Sequence, residues 1–152
     1  MSRYLPIFLL AGGLLAGCGA DNSMYMTPER KANGMVVILP GIEGPSQANV
    51  DVRQGLELAG VDMAMPIYSW GAPVPGVGML INQTNFLGNR LAGAQLARFI
   101  ADYQDEYPAA PVYVIGHSGG GGVAVFAAEA MPEGRKLDGL VLLSASISQN
   151  YD

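Results

Sequence analysis

Hydrophobic residues in this chain occur in short continuous runs separated by stretches with helical spacing. The runs Met35–Leu39 and 111–115 are β-prone and unbroken, which is typical of strands buried on both faces of a parallel sheet. Residues 137–143 predict a further strand of this kind. Alternating apolar positions over 61–68 predict a fourth strand, in which Pro66 is a weak point because proline cannot donate to a sheet ladder.

The segments between these runs have apolar residues at the helical period. The first predicted helix begins near Ser46 or Asn49, either of which can cap it, and ends at Gly60. A longer helix is predicted over 86–106 and a shorter one over 124–130. Four strands alternating with three helices predict an α/β fold, with a mostly parallel sheet and helices on both faces.

The first eighteen residues differ from the rest of the chain. Arg3 precedes an apolar stretch over 5–15, which is shorter than the roughly 20 residues that a membrane span needs. Leu15-Ala16-Gly17-Cys18 follows and resembles the lipobox of bacterial lipoproteins. The resemblance implies a signal peptide over 1–17, lipid attachment at Cys18 and a place in the bacterial cell envelope, at the outer membrane or the periplasmic face where there are two membranes. An ordinary cleaved signal with an incidental cysteine is the alternative.

Residues 19–33 are small and polar without an apolar period, and they predict a tether between anchor and domain. The predicted organisation is therefore a signal peptide over 1–17, a tether over 18–33 and one domain over 34–152. Cys18 is the only cysteine, so no disulfide can form within the chain.

Charge and glycine spacing narrow the classes of partner. The net charge is −5, and the eight Lys and Arg residues form no basic stripe, which argues against nucleic-acid binding. The glycines over 116–122 fit neither the dinucleotide fingerprint nor the P-loop, and no lysine follows to reach a phosphate. We therefore expect no cofactor and no metal.

The chemistry-bearing motif is Gly116-His117-Ser118-Gly119-Gly120, which matches G-x-S-x-G. It lies between a predicted buried strand and a helix, the context in which this motif places a nucleophilic serine. Gly116 and Gly120 make room for a sharp turn, and the helix N-terminus favours a developing negative charge. A glycine-rich turn that only packs helix on strand is the alternative.

A second loop, over 39–44, follows the first buried strand with the sequence Leu-Pro-Gly-Ile-Glu-Gly. A loop at this position can supply one backbone N–H of an oxyanion hole, and the residue after the nucleophile supplies the other. Ile42 and Gly119 are therefore the candidate donors. A turn without a catalytic part is the alternative reading.

Together these features resemble the α/β-hydrolase family, in particular its esterases and lipases, over about residues 35–145. The motif over 116–120, flanked by Gly116 and Gly120, resembles the nucleophile elbow of this family and is the most specific element; we call it the elbow. Pro40-Gly41 stands where the family commonly has a His-Gly pair. The resemblance implies a serine hydrolase that forms an acyl-enzyme on Ser118 and acts on a small-molecule ester or a lipid. It also implies a hydrolase domain that is incomplete in this chain.

The general base is missing from the expected position. The family places an acid and then a histidine after the nucleophile, whereas the only histidine here is His117, which we expect to pack against the sheet. Asp152 is the candidate acid, and Asp102, Asp105 and Asp138 are the other carboxylates considered. A catalytically inactive envelope lipoprotein that uses the scaffold for binding is the alternative function. We expect the isolated chain to be inactive, with an unpaired apolar strand edge.

Overall fold

A computed structural model of the chain describes residues 21–71 and 86–147. The described elements are a 3₁₀ turn at Ser23–Tyr25, helices α1 (Pro28–Asn33), α2 (Gln47–Leu58), α3 (Phe86–Glu106) and α4 (Gly119–Glu129), and strands β1 (Met35–Leu39), β2 (Val112–His117) and β3 (Gly139–Leu143). No helix among these residues is long and apolar enough to cross a membrane.

The three strands form one parallel sheet in the order β1-β2-β3. Leu39 is paired with Gly116, and Gly116 with Leu142, so the strands end at nearly the same level. We call the side of the sheet where the strands end the carboxyl edge, and the side where they begin the amino edge. The predicted α/β class with a parallel sheet is confirmed at this level.

The predicted strand over 61–68 is not a regular strand. It makes two isolated parallel bridges to β1, one at Ala64 and one at Ile67. Between them Pro66 has no N–H, although its carbonyl accepts a hydrogen bond from the Ile38 amide at 2.9 Å. The segment therefore flanks β1 where a fourth strand would lie, but the proline interrupts its ladder.

Helices cover both faces of the sheet, as the pattern predicts. α3 and α4 pack on one face in a core that includes Val37, Leu96, Val114, Val123 and Ala124. α2 packs on the other face, where Val52 and Leu56 lie against Val36, Met65 and Ile115. The strands are apolar on both sides because both sides are covered.

The helix boundaries follow local sequence with one exception. Ser46 caps α2, and its amide donates to the Asn49 side-chain oxygen at 3.0 Å in a capping box. α3 coincides with its predicted range. α4 begins at Gly119, five residues before the predicted start, because the glycines that disfavour helix also let its first turn approach the strand ends.

The structure differs from the predicted tether over residues 22–33. These residues form the 3₁₀ turn and α1, and they dock against the segment that flanks β1. The Tyr25 carbonyl accepts from the Met65 amide at 3.0 Å, and the Arg30 side chain pairs with Glu57 at 2.7 Å. Polar, long-range contacts hold this segment, and such contacts leave no apolar period in the sequence.

β3 is the outer strand of the described sheet, and its apolar residues are exposed. The side chains of Val141, Leu142 and Leu143 are 46%, 42% and 37% exposed. No described strand pairs with the outer edge of β3. The predicted unpaired apolar edge is confirmed for the described part of the chain.

Candidate functional site

Ser118 joins the end of β2 to the start of α4. Its backbone angles are φ 50° and ψ −121°, a region that L-residues rarely adopt and that costs about 1–3 kcal/mol. Ser118 is the N-cap residue of α4, yet its hydroxyl makes no capping hydrogen bond. A strained serine whose Oγ is not used to cap the helix is what a nucleophile elbow requires.

Close packing explains why glycine flanks Ser118 on both sides. A Cβ atom on Gly116 would lie 2.7 Å from the carbonyl oxygen of Gly120. A Cβ atom on Gly120 would lie 2.9 Å from the carbonyl oxygen of Leu39 and would also meet that of Pro40. These obstacles are backbone atoms, so the neighbours cannot move aside as a flexible side chain would.

The last residue of β3 and the residues that follow it hold the turn at Ser118 from the other side. The Ser118 amide donates to the Leu143 carbonyl at 3.0 Å, and the Ser118 carbonyl accepts from the Ser146 amide at 2.9 Å. Ala145 packs against Gly121 at the first turn of α4. The sequence analysis missed this support, because small residues that bond through their backbone carry no sequence signal.

The loop after β1 lies directly against the elbow. The Ile42 side chain contacts Gly119 so closely that a Cβ there would be 2.5 Å from Ile42 Cγ2. The loop is held by Trp70, a buried side chain whose Nε1 donates to the Pro40 carbonyl at 2.8 Å. The two predicted oxyanion donors, Ile42 and Gly119, are thus neighbours. Gly119 opens α4, where an amide has no acceptor within the helix and the dipole favours negative charge.

His117 faces the same loop rather than forming part of the turn. It follows Ile115 at a two-residue spacing, which puts its side chain on the α2 face of the sheet. Its Nδ1 lies 3.9 Å from Glu43 Oε1, and within the described part of the chain this buried nitrogen has no hydrogen-bond partner. Glu43 belongs to the loop over 39–44, and no feature of the sequence predicts that it faces His117.

The internal carboxylates considered as acids lie away from Ser118. Asp138 accepts a hydrogen bond from the Val112 amide at 2.8 Å, at the amino edge. Asp105 pairs with Arg135, and Asp102 lies in the same end of α3. Two predicted residues fall outside the described part of the chain, namely the candidate acid Asp152 and the lipidation site Cys18.

The strand connections create a topological switch point at the carboxyl edge, and the general rule for open α/β sheets predicts a crevice outside the strand ends there. After β1 the chain continues into α2 on one face, and after β2 it continues into α4 on the other. In the sheet, the 64–67 segment, which follows β1 in the chain, lies on one side of β1, and β2, which comes next, lies on its other side. Such a switch point, outside the carboxyl ends of parallel strands, is where α/β proteins bind ligands.

A cavity of about 440 Å³ lies at the opposite, amino edge. Gln104, residues 108–111, residues 134–136 and Asp138 line it, whereas Ser118 and the two predicted oxyanion donors do not. No group of three or more His, Cys, Asp or Glu side chains that could hold a metal ion occurs within residues 21–71 and 86–147. The predicted catalytic and oxyanion residues within the described part of the chain all lie at the carboxyl edge, around Ser118.

Comparisons with protein-family models, with curated proteins and with solved structures give no match for this chain.

Proposed function

We propose that this chain carries the nucleophile of a serine hydrolase of the α/β-hydrolase type, which acts on esters and is anchored to the membrane at Cys18. The observation that carries the proposal is the backbone of Ser118, with φ 50° and ψ −121°, between β2 and α4. Strain of this kind persists only where the surroundings enforce it, and it is concentrated at functional sites. The position of Ser118 at a topological switch point adds support.

In the proposed reaction Ser118 Oγ attacks the carbonyl carbon of the ester, and the hydroxyl proton passes to a general base. The C–O bond of the ester then breaks, the alcohol leaves with a proton from the protonated base, and the acyl group remains on Oγ. Water attacks the acyl-enzyme in the same way, which releases the acid and restores the serine.

The proposed oxyanion stabilisation comes from the start of α4 and the loop after β1. Removal of one such donor costs an enzyme about 10²–10³ in kcat, so the positions of both matter. Contact between Ile42 and Gly119 supports a shared hole, and the Trp70 hydrogen bond to Pro40 supports a fixed loop. The proposal assigns the two backbone amides of Ile42 and Gly119 to this role.

A second function is favoured because the described part of the chain brings no general base to Ser118. His117 is the only histidine in the chain, and it faces Glu43. A scaffold with an elbow but no base would bind a ligand in the crevice without turning it over. This non-catalytic envelope lipoprotein is the competing candidate, and it makes the opposite prediction about serine reactivity.

A fluorophosphonate probe separates the two functions, because it phosphonylates serines that are activated as nucleophiles. We expect the probe to label the full-length protein, and we expect this labelling to be lost in Ser118→Ala. Ser146→Ala is the matched control, because Ser146 lies beside the elbow and contributes only its backbone amide. That variant should be labelled like the wild type.

Absence of labelling in the folded wild type would contradict the hydrolase proposal and favour the binding function. Labelling that survives Ser118→Ala would mean that another residue reacts, and the assignment of the nucleophile would be wrong.

A further inference from the structure

The N-terminal segment is fixed to the domain near the carboxyl edge. The Asn22 side chain accepts a hydrogen bond from the Ile67 amide at 3.0 Å and donates to the Ile67 carbonyl at 3.1 Å. Three residues later, Tyr25 pairs with Met65. The segment therefore runs antiparallel to 64–67, and following the chain back from Tyr25 to Asn22 leads towards the carboxyl edge.

A buried arginine secures this attachment. Arg53 is 6% exposed, and its Nη1 donates to the Asp21 carbonyl and to the Asn22 side-chain oxygen, both at 3.1 Å. Its guanidinium also lies over the Tyr25 ring, 4.0 Å from the centroid. Hydrogen bonds from a charged group are stronger than those between neutral groups, so Asn22 is a firm attachment point.

The covalent distance from this point to the proposed lipid anchor is short. Asn22 is four residues after Cys18, and four residues span at most about 14 Å when fully extended. The domain is much larger, since α3 alone, with 21 residues, is about 31 Å long. A domain held this closely at one edge cannot present its opposite edge to the membrane.

Exposed apolar side chains are present on the same part of the molecule. Met24, two residues after the attachment point, is 73% exposed. The first turns of α3 expose Phe86, Leu87 and Leu91 at 54%, 78% and 60%. The other end of α3 lies at the amino edge, where the Tyr103 hydroxyl donates to the Lys31 carbonyl, so these apolar turns lie towards the carboxyl edge.

We propose that the carboxyl edge of the sheet faces the lipid bilayer, with Met24 and the first turns of α3 in contact with lipid. The inference rests on the proposed anchor at Cys18 and extends the proposed function. Ser118 lies two strand spacings, about 10 Å, to the side of Ile67 in the sheet. The crevice at Ser118 therefore opens near the membrane surface, and esters carried by membrane lipids are the substrate class that reaches it.

Fluorescence quenching by nitroxide-labelled lipids tests this orientation. The lipidated full chain, in vesicles of phosphatidylethanolamine and phosphatidylglycerol, carries one added thiol for a fluorophore in a Ser118→Ala background. Met24→Cys and Leu91→Cys report on the carboxyl edge. Leu58→Cys is the matched control, because Leu58 is 90% exposed at the end of α2 that lies away from this edge. The lipid occupies Cys18, so each variant has a single free thiol.

We expect quenching at positions 24 and 91 to be several-fold stronger than at position 58. An insertion of about 20 Gly and Ser residues before Asp21 should abolish most of this difference, because the longer linker lets the domain turn. Equal quenching at positions 24 and 58 in the uninserted chain, or stronger quenching at 58, would overturn the proposal.

The test does not depend on the reactivity of Ser118, so its failure is distinct from failure of the hydrolase proposal. Cys18→Ser controls for the anchor and should release the chain from the vesicles. A wild-type chain that stays in solution without a lipid would also overturn the inference, whatever the outcome of fluorophosphonate labelling.

Discussion

The two edges of the sheet differ in their hydrogen bonding and in their backbone conformation. At the amino edge, two side chains are hydrogen-bonded to backbone groups in ordinary geometry: Tyr103 to Lys31 and Asp138 to Val112. At the carboxyl edge lie Ser118 and Ser144, the two non-glycine residues with positive φ in the described part of the chain. The difference teaches that, within residues 21–71 and 86–147, backbone strain of this kind occurs at the edge where β2 turns into α4 and β3 ends.

The largest effect on this difference between the edges is expected from a side chain added at the elbow. Gly120→Ala places a Cβ against the carbonyls of Leu39 and Pro40, which cannot move without displacing β1. We expect a loss of about 3 kcal/mol in the free energy of unfolding, measured by urea denaturation. Gly122→Ala is the matched control, since its Cβ would make only an ordinary contact with the Ser146 carbonyl at 3.5 Å.

The control should be neutral or stabilising by up to about 1 kcal/mol, because alanine is the better helix former. Equal stability losses in Gly120→Ala and Gly122→Ala would mean that close approach at the elbow is not what selects glycine there.

The strain at Ser118 itself can be measured by its relief. Glycine adopts φ 50° without penalty, so Ser118→Gly should raise the free energy of unfolding by about 1 kcal/mol, after the entropy cost of glycine is subtracted. Ser146→Gly serves as the control, because Ser146 is not among the residues with positive φ. That variant should lose about 0.5–1 kcal/mol. A lower free energy of unfolding in both Ser118→Gly and Ser146→Gly would show that Ser118 is not strained.

The smallest effect is expected at the amino edge. Tyr103→Phe removes the hydrogen bond to the Lys31 carbonyl and should cost about 1 kcal/mol in thermal unfolding near neutral pH. Burial, followed by the nearby Tyr107 and Glu106, raises the pKa of Tyr103 to about 12. Its ordinary value is 10, so the folded state holds this proton more tightly than the unfolded state does.

The contribution of the protonated Tyr103 to the free energy of unfolding is therefore fully present below pH 10, and it is lost as the pH rises from 10 through 12. Tyr103→Phe should lack this part of the alkaline destabilisation while leaving Ser118 reactivity unchanged. An altered fluorophosphonate labelling rate in this variant would contradict the independence of the two edges.

The sequence predicts those parts of the molecule that depend on local pattern. β1, α3 and the capping box at Ser46 follow from apolar spacing and from one capping residue. The sharp turn at Ser118 between β2 and α4 was also predictable, because the close approach of the two elements requires glycine at Gly116 and Gly120. Docking of Asn22 on Ile67 was not predictable, since a side-chain bond across 45 residues has no periodic signal. The hydrogen bond from the Ser146 amide to the Ser118 carbonyl was not predictable either, because it joins two backbone groups and leaves no side-chain pattern in the sequence.

The most direct test of the central claim is to locate the modified residue after fluorophosphonate treatment by peptide mass spectrometry. The account predicts that the phosphonyl group lies on Ser118, in the peptide that joins β2 to α4, and that neighbouring Ser144 and Ser146 stay unmodified. Modification spread over several exposed serines, or none on Ser118 in the folded protein, would contradict it.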